Sequence, residues 1–408
     1  MNCRHCATRL VHTFLDLGFA PPSNAYLTVE DLSRPEKHYP LRVKVCHECW
    51  LVQTEDYAQA DELFSADYAY FSSTSSSWLA HARAYCHQVT ERLGLGPNSQ
   101  VVEVASNDGY LLRNFVERGV PCLGIEPTAS TASAAQALGI PVLCEFFGEE
   151  LGQRLVAQGH QADLIIGNNV YAHVPDINDF TRGLATLLKE EGVVTLEFPH
   201  LMRLIEHTQF DTVYHEHFSY LSLGTVNRIF ASAGLRVWDV EELPTHGGSL
   251  RIYGCLASAQ YATSGRVGQI LAQEMAAGLK QLVTYSGFQT RADNLKNGLL
   301  HWLLEQKRAG RRVAAYGAAA KGNTLLNYAG VKPDLICYVC DAAASKQGKF
   351  LPGSHIPIRS PQALRTDVPD SVLILPWNIA SEVRTQLADL VSSGVRFVTA
   401  VPHMNIAP

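Results

Sequence analysis

The sequence predicts an α/β protein: a central Rossmann-like domain, a small N-terminal zinc-binding module and a second Rossmann-like domain at the C-terminal end. Three observations predict it. The apolar run Val101-Val102-Glu103-Val104 breaks at small, turn-prone residues and resumes at helical spacing through Leu112, which reads as a first strand, a tight loop and a first helix. Two pairs, Cys3-x-x-Cys6 and Cys46-x-x-Cys49, have the spacing of metal knuckles. A second strand, loop and helix runs from Arg311 to Leu326. The boundaries implied are a zinc module over 1–60, a central domain over 61–255, a helical connector over 256–310 and a C-terminal domain over 311–408.

With 408 residues the chain can build two or three domains, each with its own core. A net charge of −6, with 18% charged residues, implies no strongly basic face and argues against a nucleic-acid partner. No apolar run approaches a membrane span, and the start Asn2-Cys3-Arg4-His5-Cys6 is not a signal peptide, so the cytoplasm is expected. There, ten cysteines do not form a disulfide framework. Cys3, Cys6, Cys46 and Cys49 can surround one tetrahedral zinc, and four protein ligands leave no open position for catalysis, so the metal is structural. The wide gap between the pairs implies a small β-rich excursion. His5 and His47 lie inside the knuckles as alternative ligands. Few basic residues separate the pairs, so the module reads as a cap on the central domain.

Next come Asp61 to Trp78, aromatics followed by hydroxyl residues, ahead of a helix from about Trp78 to Leu93. Such a segment can cover a pocket with tyrosine hydroxyls reaching in; packing between domains fits its composition equally.

The Val101–Leu112 loop lacks the G-x-G-x-x-G that brings a pyrophosphate onto a helix N-terminus. Only Gly109 remains, and acids stand where a phosphate would be repelled. A cationic ligand without phosphate fits, and S-adenosylmethionine (SAM), with its sulfonium and ammonium, is the common one. Glu103 ends the first strand beside the crevice, and Ser106, Asn107, Asp108 and Gly109 form the loop. Glu126 ends the second strand, Cys122 to Ile125, where an acid accepts both ribose hydroxyls; the same logic serves NAD. The α/β rhythm continues with a helix from Ala132 to Leu138, a strand from Pro141 to Cys144 and a helix from Gly148 to Ala157. The fourth strand, from Ala162, ends in Asn168 and Asn169 with His173 beyond. The fifth, Val193 to Phe198, carries the inward acid Glu197. Repeats of this size mean a parallel sheet.

The densest polar cluster is Asp211 to Ser222, with Tyr214-His215-Glu216-His217-Phe218-Ser219-Tyr220 at its centre. Its histidines stand two apart, so it is not the zincin H-E-x-x-H. On an extended segment, alternation puts Tyr214, Glu216 and Phe218 on one side and His215 and His217 on the other. A histidine beside a carboxylate suits general-base work near neutrality; a hydrogen-bonded structural cluster is the other reading.

The knuckles, V-E-V-A-S-N-D-G-Y-L-L, G-I-E-P-T, N-N-V-Y-A-H-V-P-D and Y-H-E-H-F-S-Y occur in this order. The chain resembles the SAM-dependent C-methyltransferases of deoxysugar biosynthesis, which act on TDP-linked 4-keto sugars. The resemblance spans nearly the whole chain and implies a zinc module, a SAM domain and a C-terminal Rossmann-like domain, with the nucleotide-sugar between the last two. It implies His217 as the base, Tyr214 and Glu216 assisting, and His173 and Tyr68 lining the sugar pocket; Tyr70, in the same aromatic segment as Tyr68, is a further candidate substrate contact. Methylating carbon requires removing the proton beside the ketone and stabilising the enolate. His173 or a tyrosine are the candidates for the second task.

Thr245-His246-Gly247-Gly248 is a polar turn that either touches the sugar or makes a sharp bend. Residues from about Val267 to Ala309 read as a long helical connector. In Tyr316-Gly317-Ala318-Ala319-Ala320-Lys321-Gly322-Asn323-Thr324 small residues let amides approach a diphosphate, and Lys321 supplies countercharge. Lys321, Asn323 and Thr324 are therefore candidate substrate residues, as is Asp341, which otherwise caps its turn. Cys337 and Cys340 read as buried thiols on alternate strand faces. Segments 346–355 and 373–378 shape the nucleotide pocket. Two other functions fit the residues less well: a NAD-linked oxidoreductase of nucleotide sugars, and a non-enzymatic zinc- or nucleotide-binding protein. The partner expected is the ketosugar, and the chain is expected to be a monomer.

Overall fold

A computed structural model describes residues 1–57 and 72–407, so Tyr68 and Tyr70 lie outside the described residues. The N-terminal module contributes β1 (His12–Ala20), β2 (Tyr39–Val45) and β3 (Val52–Thr54), paired antiparallel in that order. Of these, β1 and β2 are the β-rich excursion between the knuckles, and β3 follows the second pair. Along β2 alternate residues Leu41, Val43 and Val45 are buried, the period of a sheet with one packed face.

The central domain supplies β4 (Val101–Val104), β5 (Cys122–Ile125), β6 (Val142–Leu143), β7 (Ala162–Asn168), β8 (Leu188–Pro199), β9 (Ser219–Tyr220), β10 (Leu235–Leu243) and β11 (Ser249–Leu256). Seven of these form one sheet in the order β10-β11-β8-β7-β4-β5-β6. The strands β4 to β8 are parallel, while β11 runs antiparallel to β8 and β10. All four residues of β4 are buried because both sheet faces are covered. The strand order turns back between β4 and β7, which opens the ligand crevice at the carboxyl ends of these two strands.

The remaining strand, β9, leaves this domain and joins β3 as the fourth strand of the N-terminal sheet, Val52 opposite Tyr220 and Gln53 opposite Ser219. Two residues are too short to announce a strand by periodicity, so only the fold shows this link.

The connector is not one long helix. It divides into Gly265–Ala276, Leu282–Ser286 and Phe288–Arg308. The first break falls at Gly278, whose φ of +76° is left-handed and whose missing side chain leaves room for Thr284. The C-terminal domain has β12 (Val313–Tyr316), β13 (Val339–Cys340), β14 (Ile358–Arg359), β15 (Ser371–Ile374), β16 (Arg396–Thr399) and β17 (Asn405–Ala407), ordered β14-β13-β12-β15-β16-β17. All pairings are parallel except β16 with β17, so this sheet is mixed. The thiols of Cys337 and Cys340 bond to different carbonyls, those of Val313 and Ser360, and do not meet.

Two cores tie the parts together. Phe14, Leu15 and Val43 of the N-terminal sheet pack with Phe288 and Leu303 of the connector and Leu325 and Leu373 of the C-terminal domain. Cys3, Cys46, Cys49 and Leu51 pack instead with Val102, Leu196 and Phe230 of the central domain. No helix among the described residues is long and apolar enough to cross a membrane.

Candidate active site

The metal centre is the simplest part. The four sulfur atoms of Cys3, Cys6, Cys46 and Cys49 lie within 4.8 Å of one another, three of these residues buried and Cys6 partly so. Four soft donors converging from two turns are the donor set of a closed, structural zinc site. Gln53 on β3 donates from Nε2 to Cys3 Sγ at 3.2 Å and accepts the Arg4 amide through Oε1 at 2.9 Å. His5 turns away to Asn178, at 2.8 Å from Nδ1, so it is no ligand.

The cofactor crevice follows from the loop after β4. Ala105 and Asn107 hold left-handed backbones, φ 58° and 50°, at a cost of order 1 kcal/mol each. The bend places the Asn107 amide on Glu126 Oε2 at 2.9 Å, while Glu126 Oε1 takes the Thr128 amide at 3.0 Å. Glu126 is thereby oriented at the end of β5 with lone pairs left for a diol. Asn107 and Asp108 use side-chain oxygens to hold the Ser72 and Ser73 amides, and so fix the entry to the helix Ser76–Leu93. Gly109 is needed for contact, because a Cβ there would collide with Ile140.

Several polar atoms at this crevice are buried without a partner among the described residues: both oxygens of Glu103, Ser106 Oγ, one oxygen of Asp108 and both amide atoms of Asn168. Leaving such groups unpaired is costly, and their concentration at one strand-end crevice fits a polar ligand seated there. Burial first, then the Glu126 and Asp108 carboxylates, push the Glu103 carboxyl well above the usual range. The residues present fit SAM: Glu126 for the ribose hydroxyls, with Ser106, Asp108 and Asn168 around the remainder. Replacing Glu126 with alanine is expected to weaken SAM binding 10-fold or more, at about 1.5–3 kcal/mol per lost charged hydrogen bond, by isothermal titration. An unchanged affinity would remove Glu126 from the site.

The motif Tyr214–Tyr220 is not extended throughout. The His217 amide bonds to the Tyr214 carbonyl at 3.0 Å, a β-turn with His215 and Glu216 at its corner. Alternation therefore fails, and His215 and His217 do not share a side. Tyr214 and His217 come together with ring centroids 3.9 Å apart, whereas His215 packs on Tyr39 at 6.0 Å. Glu216 does not meet His217 either; it takes the Asn24 side chain at 3.1 Å, and burial raises its carboxyl to about 7. His173 is brought in by the Phe218 amide on the Ala172 carbonyl at 2.8 Å, which sets its ring 4.6 Å from that of His217. From the other side Thr54 Oγ1 donates to the His217 carbonyl at 3.2 Å and the Thr54 amide to Phe218 at 3.1 Å. The turn that carries His217 is thus held between the central domain and the zinc module.

His217 is 8% exposed, and its Nδ1 stands 2.9 Å from the Thr212 carbonyl. A carbonyl only accepts, so Nδ1 carries the proton and Nε2 the lone pair. Burial, then His173, hold the imidazole well below 6.5 against the pull of Thr212, so the ring is neutral at pH 7.

Beside it lies a network less visible in sequence. Glu197, at the end of β8, accepts from His81 Nε2 at 2.9 Å, Arg251 Nη2 at 2.7 Å and Thr245 Oγ1 at 2.9 Å. Burial alone would raise this carboxyl; His81 and Arg251 outweigh it and hold it down to about 2. Glu197 is therefore a fixed anion that anchors the helix Ser76–Leu93 and the turn at Thr245. Asn169, at the end of the same crevice, sits 3.3 Å from His246 Nε2 through its amide nitrogen.

From the C-terminal domain, Lys321 reaches Asn378 Oδ1 at 2.9 Å and lies over the Trp377 ring at 5.0 Å. Trp377 donates to Asp211 at 2.7 Å across the domain boundary. Burial lowers the Lys321 ammonium, opposed by Asp211, and its charge in turn acts on His217 and His246. The other residues expected at a diphosphate are engaged elsewhere. Asn323 donates to the Ser23 carbonyl at 2.6 Å and Thr324 to the Val213 carbonyl at 2.8 Å, both buried. Asp341 caps its own loop, taking the Ala318 amide at 2.7 Å and the Ala343 amide at 2.8 Å. The Ala318 amide is therefore taken by Asp341, and of the four residues it is Lys321 whose charge acts on the histidine cluster.

A Rossmann-like sheet with acids ending its first two strands, joined to a four-thiolate zinc module and a histidine cluster, defines a SAM-dependent methyltransferase. Family models match in three stretches: "Putative zinc binding domain" over residues 3–64, "Methyltransferase domain" over 78–240 and "C-methyltransferase C-terminal domain" over 244–402. Over 405 residues the chain is 34% identical to C-methyltransferase NovU of Streptomyces niveus, covering 99% of this chain and 96% of that protein. The chain belongs to this family of SAM-dependent C-methyltransferases. Among solved structures it is similar over 43% of its length to magnesium protoporphyrin IX methyltransferase (ChlM) of Synechocystis PCC 6803 with bound SAM, at 15% identity, 80% of that chain and a TM-score of 0.33. A SAM-dependent methyltransferase of Clostridium acetobutylicum is similar over 43% of this chain and 90% of its own, at 10% identity and a TM-score of 0.34.

Proposed function

We propose that this enzyme methylates the ring carbon beside the ketone of a TDP-linked 4-keto-deoxysugar, on the way to a branched deoxysugar. The observation that carries the proposal is the tautomer of His217, whose Nδ1–H is committed to the Thr212 carbonyl and whose Nε2 is left as the acceptor of a proton. A carbon beside a ketone must lose a proton before it can accept a methyl group, and a neutral imidazole with a free lone pair can take it.

Bound SAM supplies an electrophilic methyl on a sulfonium. The chain's own residues do the rest. His217 Nε2 takes the proton from the carbon beside the ketone, and the C–H electron pair moves into an enolate. Tyr214 and His173 wall the imidazole so that its lone pair keeps one direction. The enolate carbon would take the methyl that bound SAM supplies, leaving S-adenosylhomocysteine, and His217 returns its proton to water. Lys321 supplies countercharge to the diphosphate on the C-terminal side. Every group in this scheme belongs to one chain, so a monomer suffices, and the four reduced thiolates of the zinc centre suit the cytoplasm.

The test is solvent deuterium incorporation into a TDP-4-keto-deoxysugar by the wild-type enzyme. Exchange without SAM, followed by methyl transfer once SAM is added, is the expected result. Neither exchange nor methylation by an enzyme that binds SAM would show that the substrate is of another class.

A further inference from the structure

His246 stands where a side chain is hard to keep. Its backbone is left-handed, φ 53° and ψ 22°, within a turn whose next two residues are glycines. A glycine would hold this conformation without strain, so a histidine kept there points to use of the side chain. The flanks are pinned. Thr245 Oγ1 donates to the buried carboxylate of Glu197 at 2.9 Å, and the Gly247 carbonyl accepts from Gln209 Nε2 at 2.8 Å. Gly247 has no room for a side chain, because Trp377 of the C-terminal domain lies against it. The turn thus presents one imidazole from a frame built by two domains.

The ring is oriented as well as placed. Asn169 Nδ2 approaches Nε2 at 3.3 Å, and the Trp78 ring lies 5.5 Å away at 58°. With Asn169 as donor, Nε2 holds the lone pair and Nδ1 the proton. Nδ1 has no partner among the described residues and is not among the enclosed polar atoms. Burial and the nearby Lys321 hold this imidazole down to about 4, so it is neutral at pH 7. Its contact with Asn169, the residue after β7, holds the ring at the crevice, where His173 acts on it electrostatically and it acts on His217.

We propose that His246 is a catalytic residue whose Nδ1–H donates to the ketone oxygen of the substrate and stabilises the charge that gathers there as His217 removes the proton. The inference rests on the ketosugar reading given above. As the C–H bond breaks, its electron pair forms the C=C bond and the carbonyl π pair moves onto oxygen, where the His246 N–H awaits it. When the carbon bonds to the methyl group, the carbonyl re-forms and the hydrogen bond relaxes. A neutral donor held in advance of the reaction needs no reorganisation as charge develops.

The test compares wild type with His246→Gly and His246→Asn, reading solvent deuterium exchange without SAM, SAM affinity and melting temperature. Glycine removes the imidazole at a backbone position that favours it, so the fold is retained. Asparagine also tolerates a left-handed backbone, and its amide N–H falls where Nδ1–H was. The expected result is a loss of exchange in His246→Gly of about 10²–10³-fold, the size seen when one oxyanion donor is removed. SAM affinity should be unchanged, and much of the exchange should return in His246→Asn. Exchange at the wild-type rate in His246→Gly would overturn the proposal, as would a loss matched by an equal loss of SAM affinity, which would make His246 a wall of the cofactor crevice. An asparagine variant as slow as glycine would overturn the Nδ1 donor. Absence of exchange in the wild type would instead overturn the ketosugar reading on which this proposal stands.

Discussion

Replacing His217 with glutamine is expected to abolish both deuterium exchange and methyl transfer, by about 10²–10⁴-fold, while SAM binding persists. Glutamine keeps much of the volume beside Tyr214 and His173 but offers no basic nitrogen. SAM affinity measured on the same preparation separates loss of chemistry from loss of fold. Exchange that survives in the variant would move the base elsewhere, with His173 the next residue to change. The pH profile carries its own signature. His217 lies well below 6.5, so activity persists as pH falls through 6.5 and declines only when Nε2 protonates at a lower pH. Stability shifts over the same window. His173 and His246 titrate near 4 in the folded enzyme but near 6.5 when unfolded. Between those values the unfolded chain binds more protons, so stability is present above 6.5 and drains away as pH falls toward 4. Rates in this range need a melting curve at each pH.

Replacing Cys3 with serine, far from any reacting atom, is expected to be almost as damaging. Its sulfur is one of four within 4.8 Å and belongs to the same apolar core as Val102 and Phe230. A four-thiolate zinc site contributes about 10 kcal/mol or more to the order of a small domain. Its loss loosens β3, whose Thr54 holds the His217 carbonyl. The expected result is a variant with less than stoichiometric zinc, a lower melting temperature and little exchange. Gln53→Ala, which removes the hydrogen bonds to Cys3 Sγ and from the Arg4 amide but leaves all four thiolates, is expected to weaken zinc about 10–100-fold with milder loss of activity. A Cys3→Ser protein with full zinc and normal exchange would show that the centre and the catalytic turn are independent.

Much of the frame was legible because it depends on local pattern. Strands β4, β5 and β7 are short apolar runs closed by turn residues, and they lie where alternation of strand and helix puts them. The knuckles were legible from spacing alone. What escaped was set by contacts distant in sequence. Asn323 and Thr324 carry residue types suited to a phosphate, yet their partners are carbonyls 300 and 111 residues away. The side that His215 faces was misread because a single hydrogen bond, His217 to Tyr214, turns an extended segment into a corner. The Glu197 network gathers groups from a helix, two strands and a turn, and periodicity reports none of these associations. His246 left one trace, a histidine directly before two glycines, in a turn too sharp for most side chains.

The passage of β9 into the N-terminal sheet sets where this enzyme can be cut and rejoined. Exchanging the first 57 residues with those of a relative would ask a foreign edge strand to match the Val52–Tyr220 and Gln53–Ser219 pairs. A mismatch there would be felt two residues away, at His217, the proposed base. The unit of recombination is therefore the zinc module together with the turn that follows Thr212. The C-terminal domain meets that turn through single side chains such as Thr324 and Trp377, a boundary that point changes can redraw when a chimera is built to accept a new substrate.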